Sequence, residues 1–392
     1  MLLISLFLFF DCTENPTQST ISDTNPFNAV EREIIQSENS FELKLFRKIN
    51  ESTPDSNVFI SPLSIYMALG LAYNGAEGVT REAIASALDI TGFSQMDINQ
   101  AYKRILSLLA EADLSVQFTL ANSLWYHKGL PVENDYIDMM KEFFDAKVAQ
   151  LDFNDAGSGD SINNWIADKT NGTIKKIVQK TLPDDVMLLL LNAIYFKAIW
   201  TDVFDTNHTG EYYFKKYDGS FIPWALMTKK DTVKYFETDL FCAADLPYGD
   251  NGCFSMTLFV PKNDIPVETL ISEMNFSNWK SWISSFKFDL CIIYLPRFTL
   301  SYEIGLKKVL TDLGMGNVFL QEADFTGISK ESGKDLYVSN AKHKTYIEVN
   351  EDGTEATGAT VVLLTIGDNT TKYKQVICNR PFVFVSEKIP HR

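Results

Sequence analysis

Apolar positions along the chain switch between two periods, and the switches mark out interleaved helices and strands. Leu63, Met67, Ala68 and Leu71 form a stripe at helical spacing. Ser61 and Pro62 supply a cap and a first-turn proline for it, and Gly75 sits where it should close. Residues 80–88 and 98–109 continue as amphipathic helices, and 161–170 predicts another around Trp165. Residues 118–126, 254–260 and 291–295 read as strands. The unbroken apolar run 187–196 has strand length and suits a strand covered on both faces. A helix is predicted over 304–313, closed by Gly314, and strand signals return across 375–385. No βαβ rhythm organises these elements, so the pattern predicts a mixed α+β architecture.

One stretch breaks the rule that small polar runs are linkers. Residues 345–349 alternate as a strand, with Tyr346 and Glu348 on one side and Ile347 and Val349 on the other. Asn350, Glu351, Asp352 and Gly353 then supply turn chemistry. Thr354, Glu355, Ala356, Thr357, Gly358, Ala359 and Thr360 follow, small and nearly free of large apolar groups. A solvated linker would continue in the same manner, but Val361, Val362, Leu363, Leu364 and Ile366 are strand formers. At period 2, Thr354, Ala356, Gly358, Thr360, Val362 and Leu364 share one face, small first and apolar later. Such a loop is suited to enter a sheet as a strand.

The run GTEATGAT at 353–360 resembles the reactive-loop hinge of the serpins, inhibitors that trap serine proteases by inserting this loop into their central sheet. Other motifs follow in the family's order. They are NVFISPLSI at 57–65, LNAIYFK at 191–197 with Trp200, LPRF at 295–298, LGM at 313–315, EADFTGIS at 322–329 and NRPF at 379–382. The resemblance covers residues 40–386. It implies a single-domain α+β fold of three β-sheets and about nine α-helices, with an exposed reactive loop over 351–374. It also implies that the helix around Trp165 lies across the central sheet.

Composition narrows the function further. The formal charge is −16, from 35 Lys and Arg against 51 Asp and Glu, with no dense basic stripe. That balance disfavours nucleic acid and anionic membrane as partners. Some serpins bind heparin-like polysaccharides through a basic helix, but the corresponding region, 85–114, holds only Lys103 and Arg104 among its Lys and Arg close together in sequence, so heparin is not expected. A monomer without cofactor or metal is expected, since no CxxC, HExxH, P-loop or GxGxxG is present. Cys242 and Cys253 flank the turn 248–252 and are either a pair across a hairpin or free core thiols.

Residues 1–11 carry the apolar run Leu2 to Phe10, too short to span a bilayer. It matches the hydrophobic region of a secretory signal peptide but lacks a basic n-region and a clear small-residue cleavage site. Residues 12–39 read as a polar, disordered lead-in to a domain over 40–392. Sequons at Asn50, Asn171, Asn207, Asn275 and Asn369 fit a secreted, extracellular glycoprotein.

No enzyme site emerges: there is no GxSxG elbow and nothing locates a nucleophile for the four histidines. The expected reactive centre is instead a bond that is attacked. The resemblance assigns Ser64, Asn192 and His343 to a buried polar shutter beneath the central sheet, and Trp200 to the breach where the loop first enters. Family spacing from the hinge glycine puts the reactive bond at Gly367 and Asp368, with Leu364 or Ile366 as alternatives and Lys372 as a distant one. Small or aliphatic residues there point to elastase-like, chymotrypsin-like or subtilisin-like targets. Serpins also continue into a final buried strand after residues like 381–386, whereas this sequence carries only Lys388, Ile389, Pro390, His391 and Arg392 near its end. The final C-terminal strand is therefore expected to be missing. The rival expectations are a carrier-like or chaperone-like, non-inhibitory serpin and a truncated, inactive product.

Overall fold

The computed structural model describes residues 3–6, 27–183, 185–339, 341–354 and 373–388. In chain order it begins with β1 (Leu3–Leu6), α1 (Ala29–Ser52), β2 (Val58–Ile60), α2 (Pro62–Gly75), α3 (Gly78–Ala87) and α4 (Gln95–Glu111). Next come β3 (Gln117–His127), α5 (Asn134–Phe144), β4 (Lys147–Leu151), α6 (Ser158–Lys169), β5 (Leu188–Ile199), β6 (Thr209–Lys215) and β7 (Phe221–Glu237). The chain continues through β8 (Phe241–Tyr248), β9 (Phe254–Pro261), α7 (Val267–Glu273), α8 (Phe276–Ser285), β10 (Lys287–Pro296) and β11 (Phe298–Gly305). It closes with α9 (Lys307–Leu310), β12 (Lys342–Val349), β13 (Gly353–Thr354), β14 (Lys374–Ile377) and β15 (Val383–Lys388).

Among the described residues, six strands form the central sheet in the order β11-β12-β13-β5-β3-β4. Nine strands form the other, β14-β10-β7-β8-β9-β15-β1-β2 with β6 on β7. The long β7 holds this second sheet together: its first half pairs with β6 and its end with β8, while β10 runs along its middle. Two of the three expected sheets are thus continuous through one strand.

The apolar run of β5 is covered on both faces, as its lack of alternation predicts. Leu189, Leu191 and Ala193 pack with Ile162, Trp165 and Ile166 of α6, which therefore lies across the sheet. Leu188, Leu190, Ile194 and Phe196 turn to the main core. α2 is buried along almost its whole length, with Ser61 accepting from the Ser64 N–H at its start. Its centre is held by an aromatic chain in which Tyr66 meets Tyr102 and Tyr102 meets Phe144.

The structure corrects two expectations and decides between the alternatives of a third. Residues 29–39 are the opening turns of α1 rather than a disordered lead-in. Asn28 and Glu31 form a capping box, and Ile34 and Ile35 are fully buried. The helix expected over 304–313 starts later, because β11 runs through Gly305 with Ile304 opposite His343; α-helix Lys307–Leu310 continues as a π-helical turn over Thr311–Met315, broken at Gly314 (φ 100°). Cys242 and Cys253 do not meet: the β8–β9 register sets Cys242 opposite Val260, at the far end of the hairpin from Cys253, and neither is in a disulfide.

The capping box gives a direct test of the first correction. Asn28→Ala removes the acceptor for the Glu31 N–H. It is expected to lower unfolding free energy in urea by about 1 kcal/mol. An unchanged midpoint would mean that residues 29–39 contribute no folded helix.

Candidate functional site

The central sheet is parted. Among the described residues no ladder joins β5 and β12 directly; the two-residue β13 lies between them, pairing Gly353 with Ile199, Thr354 with Ala198 and Thr354 with Val349. Below β13 the facing strands enclose a cavity of about 30 Å³, bordered by Ser61, Ser64, Ile194, Phe196, His343 and Thr354. A cavity of that size holds roughly one water molecule. It marks a slot into which the chain already leads at its upper end.

The upper end is built by local turn chemistry. Asn350 Oδ1 accepts from the N–H groups of Asp352 and Gly353, at 3.1 and 3.2 Å, closing the turn that the sequence predicts. The Trp200 backbone N–H donates to Asp352 O at 2.9 Å, and its indole Nε1–H donates to Asn350 O at 3.0 Å. The indole stacks on Tyr248 at 4.4 Å and an interplanar angle of 11°. Tyr248 and Thr354 hydroxyls share a buried hydrogen bond of 2.8 Å. Gly353 passes so close to β5 that a Cβ would lie 2.2 Å from the Ala198 carbonyl oxygen, which excludes every side chain there.

Glu351 fixes the same turn from below, a role with no local signature in the sequence. Its carboxylate is buried, accepts from Thr209 Oγ1 at 2.7 Å and lies 3.7 Å from Arg297 Nη1. A buried carboxylate needs such partners.

Ser64, Asn192 and His343 do come together at the start of α2. The Ser64 hydroxyl donates to Asn192 Oδ1. Asn192 Nδ2 donates to Asn122 Oδ1 at 2.6 Å, and Asn122 Nδ2 donates to Phe144 O at 2.7 Å. His343 Nε2 accepts from the Ser61 N–H at 2.9 Å, so the ring's proton sits on Nδ1. Thr345 Oγ1, two residues along β12, donates to Phe59 O at 2.5 Å. Asn122 and Ser61 were missed in the sequence. Asn122 had a readable signal, since an amide inside the apolar run 118–126 demands a partner, and the register sets it opposite Asn192.

The other candidate residues divide between visible and undescribed positions. Asn171 and Asn207 are exposed. Asn50 is half-buried with its Nδ2 donating to Phe46 O, and Asn275 caps α8 by accepting from the Asn278 N–H. Glu355, Ala356, Thr357, Gly358, Ala359, Thr360, Leu364, Ile366, Gly367, Asp368, Asn369 and Lys372 lie outside the described residues.

A mixed α+β fold whose central sheet takes Gly353 and Thr354 as a short strand between β5 and β12 defines the class of this protein. Comparison with known proteins gives this class its family. The family model for serpins, serine protease inhibitors, matches residues 36–391, and the chain belongs to that family. It is 30% identical to human neuroserpin over 354 residues, covering 88% of this chain and 85% of that protein. Among solved structures it resembles the thermophilic serpin tengpin in its native state, with a TM-score of 0.83, 29% identity, and coverage of 92% of this chain and 91% of that one. Human thyroxine-binding globulin, complexed with its ligand, shares the fold at a TM-score of 0.81 and 23% identity, covering 92% of this chain and 95% of that one.

The buried imidazole makes the cluster sensitive to acid. Burial pushes His343 from its ordinary 6.5 down to about 3, so it stays neutral when folded. The unfolded chain binds a proton below 6.5 that the folded protein does not. The resulting stability is complete above 6.5 and is lost progressively as pH falls toward 3. Between pH 7 and pH 5 the loss is about 2 kcal/mol. Glu38 works in the opposite sense: burial pushes it up to about 8, and its contribution is lost as pH rises from 4.5 through that value. The informative reading is therefore the difference between wild type and His343→Gln, which keeps an acceptor for Ser61 but does not titrate. Stability of the variant is expected to fall less between pH 7 and pH 5. Equal slopes would show that His343 is protonated in the folded protein.

Proposed function

We propose that this protein is a secreted suicide-substrate inhibitor of serine proteases. The observation that carries the reading is the slot between β5 and β12, entered by Thr354 and followed in sequence by small residues. The protease's serine attacks the exposed loop, forms an acyl-enzyme with the carbonyl side of the bond and releases the new N-terminus. The freed hinge then moves into the slot, dragging the acylated protease with it before water can deacylate it.

Registers already set by β13 define where each residue would land. If the antiparallel pairing continued from Thr354 in the same register, Thr360 would come opposite Asn192 on one side and His343 on the other. It would place Leu364 opposite Leu188, the first residue of β5. Insertion thus runs the length of β5, and its inward positions are Ala356, Gly358, Thr360, Val362 and Leu364. The small ones pass the polar cluster first, and the apolar ones follow. Glu355 falls on the outward face. Ladder hydrogen bonds and apolar burial favour the inserted state, so the intact form is metastable.

Gly367 and Asp368 form the reactive bond in this reading, just past the inserted stretch, with Leu364 or Ile366 as alternatives. The absence of a basic residue nearby favours elastase-like, chymotrypsin-like or subtilisin-like proteases as partners. Export is supported by the apolar run 2–10 and by the exposed sequons Asn171 and Asn207.

Incubation with pancreatic elastase, chymotrypsin and subtilisin is expected to give an SDS-stable complex of summed mass with at least one of them. Thr354→Arg replaces a buried hydroxyl by a charge at the mouth of the slot. The variant is expected to be cut at the same bond while losing at least tenfold in complex yield. Cleavage of wild type without a complex and without a rise in thermal midpoint would identify a carrier-type serpin. Complex formation by the arginine variant at wild-type yield would sink the hinge assignment.

A further inference from the structure

β10 departs from the alternation expected of a strand with one solvated face. Its inward row, Cys291, Ile293 and Leu295, is fully buried. Its outward row, Phe288, Leu290, Ile292 and Tyr294, is just as apolar, although Phe288 and Leu290 are 70% and 40% exposed. Neighbouring strands extend that outward face. Tyr212 of β6 meets Tyr294 edge-on at 5.5 Å. β14 runs parallel to β10 from Lys374 opposite Cys291, so the exposed Tyr373 comes beside Leu290. Lys230 of β7, opposite Ile292, brings its Nζ to 5.3 Å from the Tyr373 ring and so reaches over the outer side of β10. Phe288, Leu290 and Tyr373 therefore form an apolar patch flanked by the exposed Lys230 and Lys287. Contiguous exposed apolar surface of this kind marks a contact site.

The patch's place beside the reactive loop identifies what it contacts. Because β14 is parallel to β10, the loop rejoins the fold at the Phe288 end of β10. The chain from Asp368 to Tyr373 spans at most about 18 Å even when fully extended. A globular protease of about 250 residues is roughly 45 Å across. A body of that size, closed on the bond between Gly367 and Asp368, reaches well beyond this span. The patch lies on the side of the residues that follow the bond, where the released N-terminus leaves.

We propose that Phe288, Leu290 and Tyr373 form a second docking surface for the target protease, beside its cleft, a role that rests on the reading of this loop as the protease's substrate. The surface that fits it is apolar with carboxylates at the rim, opposite Lys230 and Lys287. The contact is made in the encounter complex, before the serine attacks. It takes no part in the later competition between loop insertion and deacylation. Its loss therefore slows trapping without lowering the yield of complex, the reverse of the signature expected for Thr354→Arg.

Phe288→Thr combined with Leu290→Thr removes the apolar surface and keeps β-branched residues suited to a strand. With a protease that wild type traps, the second-order rate of complex formation should fall about tenfold or more at unchanged yield. Binding of the same protease with its catalytic serine replaced by alanine should weaken in parallel. Lys287→Glu alters only the exposed rim and should slow association about threefold, more at low salt than at high. Leu114→Thr, at another exposed apolar residue, should change neither rate nor binding. Rates within about twofold of wild type for both patch variants would overturn the docking surface and leave the inhibitory reading standing. If wild type is cut but not trapped, the inhibitory reading fails, and the double variant must then show its loss in kcat/KM for loop cleavage or the surface fails too. Neither binding nor cleavage by elastase, chymotrypsin or subtilisin would overturn both. A wild-type dimer in light scattering that the double variant dissociates would assign the face to a second copy instead.

Discussion

The two strands that border the slot are fastened to the beginning of one helix and not to each other. β5 reaches α2 through Asn192 and Ser64, while β12 reaches the same turn through His343 and the Ser61 N–H. That arrangement decides much of the rest. A direct ladder between the two strands would have to be broken before anything entered. Here each strand instead has its own polar attachment to a common anchor. Because the groups are buried, none of them can go unpaired cheaply, so each position of the strands must offer a complete set of partners.

The mouth of the slot obeys a different constraint, close approach. Gly353 lies against the Ala198 carbonyl, and the buried Thr354 hydroxyl shares a hydrogen bond with Tyr248. Trp200 brings these together by stacking on Tyr248 while its ring nitrogen holds the turn at Asn350. Glu351 anchors the turn to Thr209 of β6 in the neighbouring sheet and to Arg297, which joins β10 to β11. The turn and Thr354 are thus held by polar groups on both sides, and apart from Glu355 the residues after them in sequence are small until Val361.

β2 ties the two sheets' fates together. It is a strand of the larger sheet, its Phe59 carbonyl accepts from β12 of the central sheet, and it leads directly into the Ser61 cap of α2. Packing at its outer side and the polar cluster at its end therefore share one short, fully buried segment. Rings carry this contact further: Phe59 and Phe298 both meet Phe384 of β15, at 6.5 and 5.7 Å.

Much of the molecule is legible in one dimension because local patterns are enough to specify it. The cap at Ser61, the two-faced apolar run of β5, the turn at 350–353 and the small-residue hinge follow from propensity and periodicity. The order of the motifs likewise suffices for the family. Other features have no local signature. Tyr248 lies 106 residues from the Thr354 that it holds, and nothing around it distinguishes it from a core tyrosine. Glu351 reads as a solvated turn residue until Thr209 and Arg297 are placed beside it. The opening turns of α1 look polar because much of their surface is exposed, although Ile34 and Ile35 anchor them. The N-terminal apolar run reads as a leader on composition, and only the pairing of three distant segments makes Leu3–Leu6 a strand. Sequence specifies which segments are strand-like; which edges they meet is a property of the whole chain, because a strand's partners are chosen by burial and register across the fold.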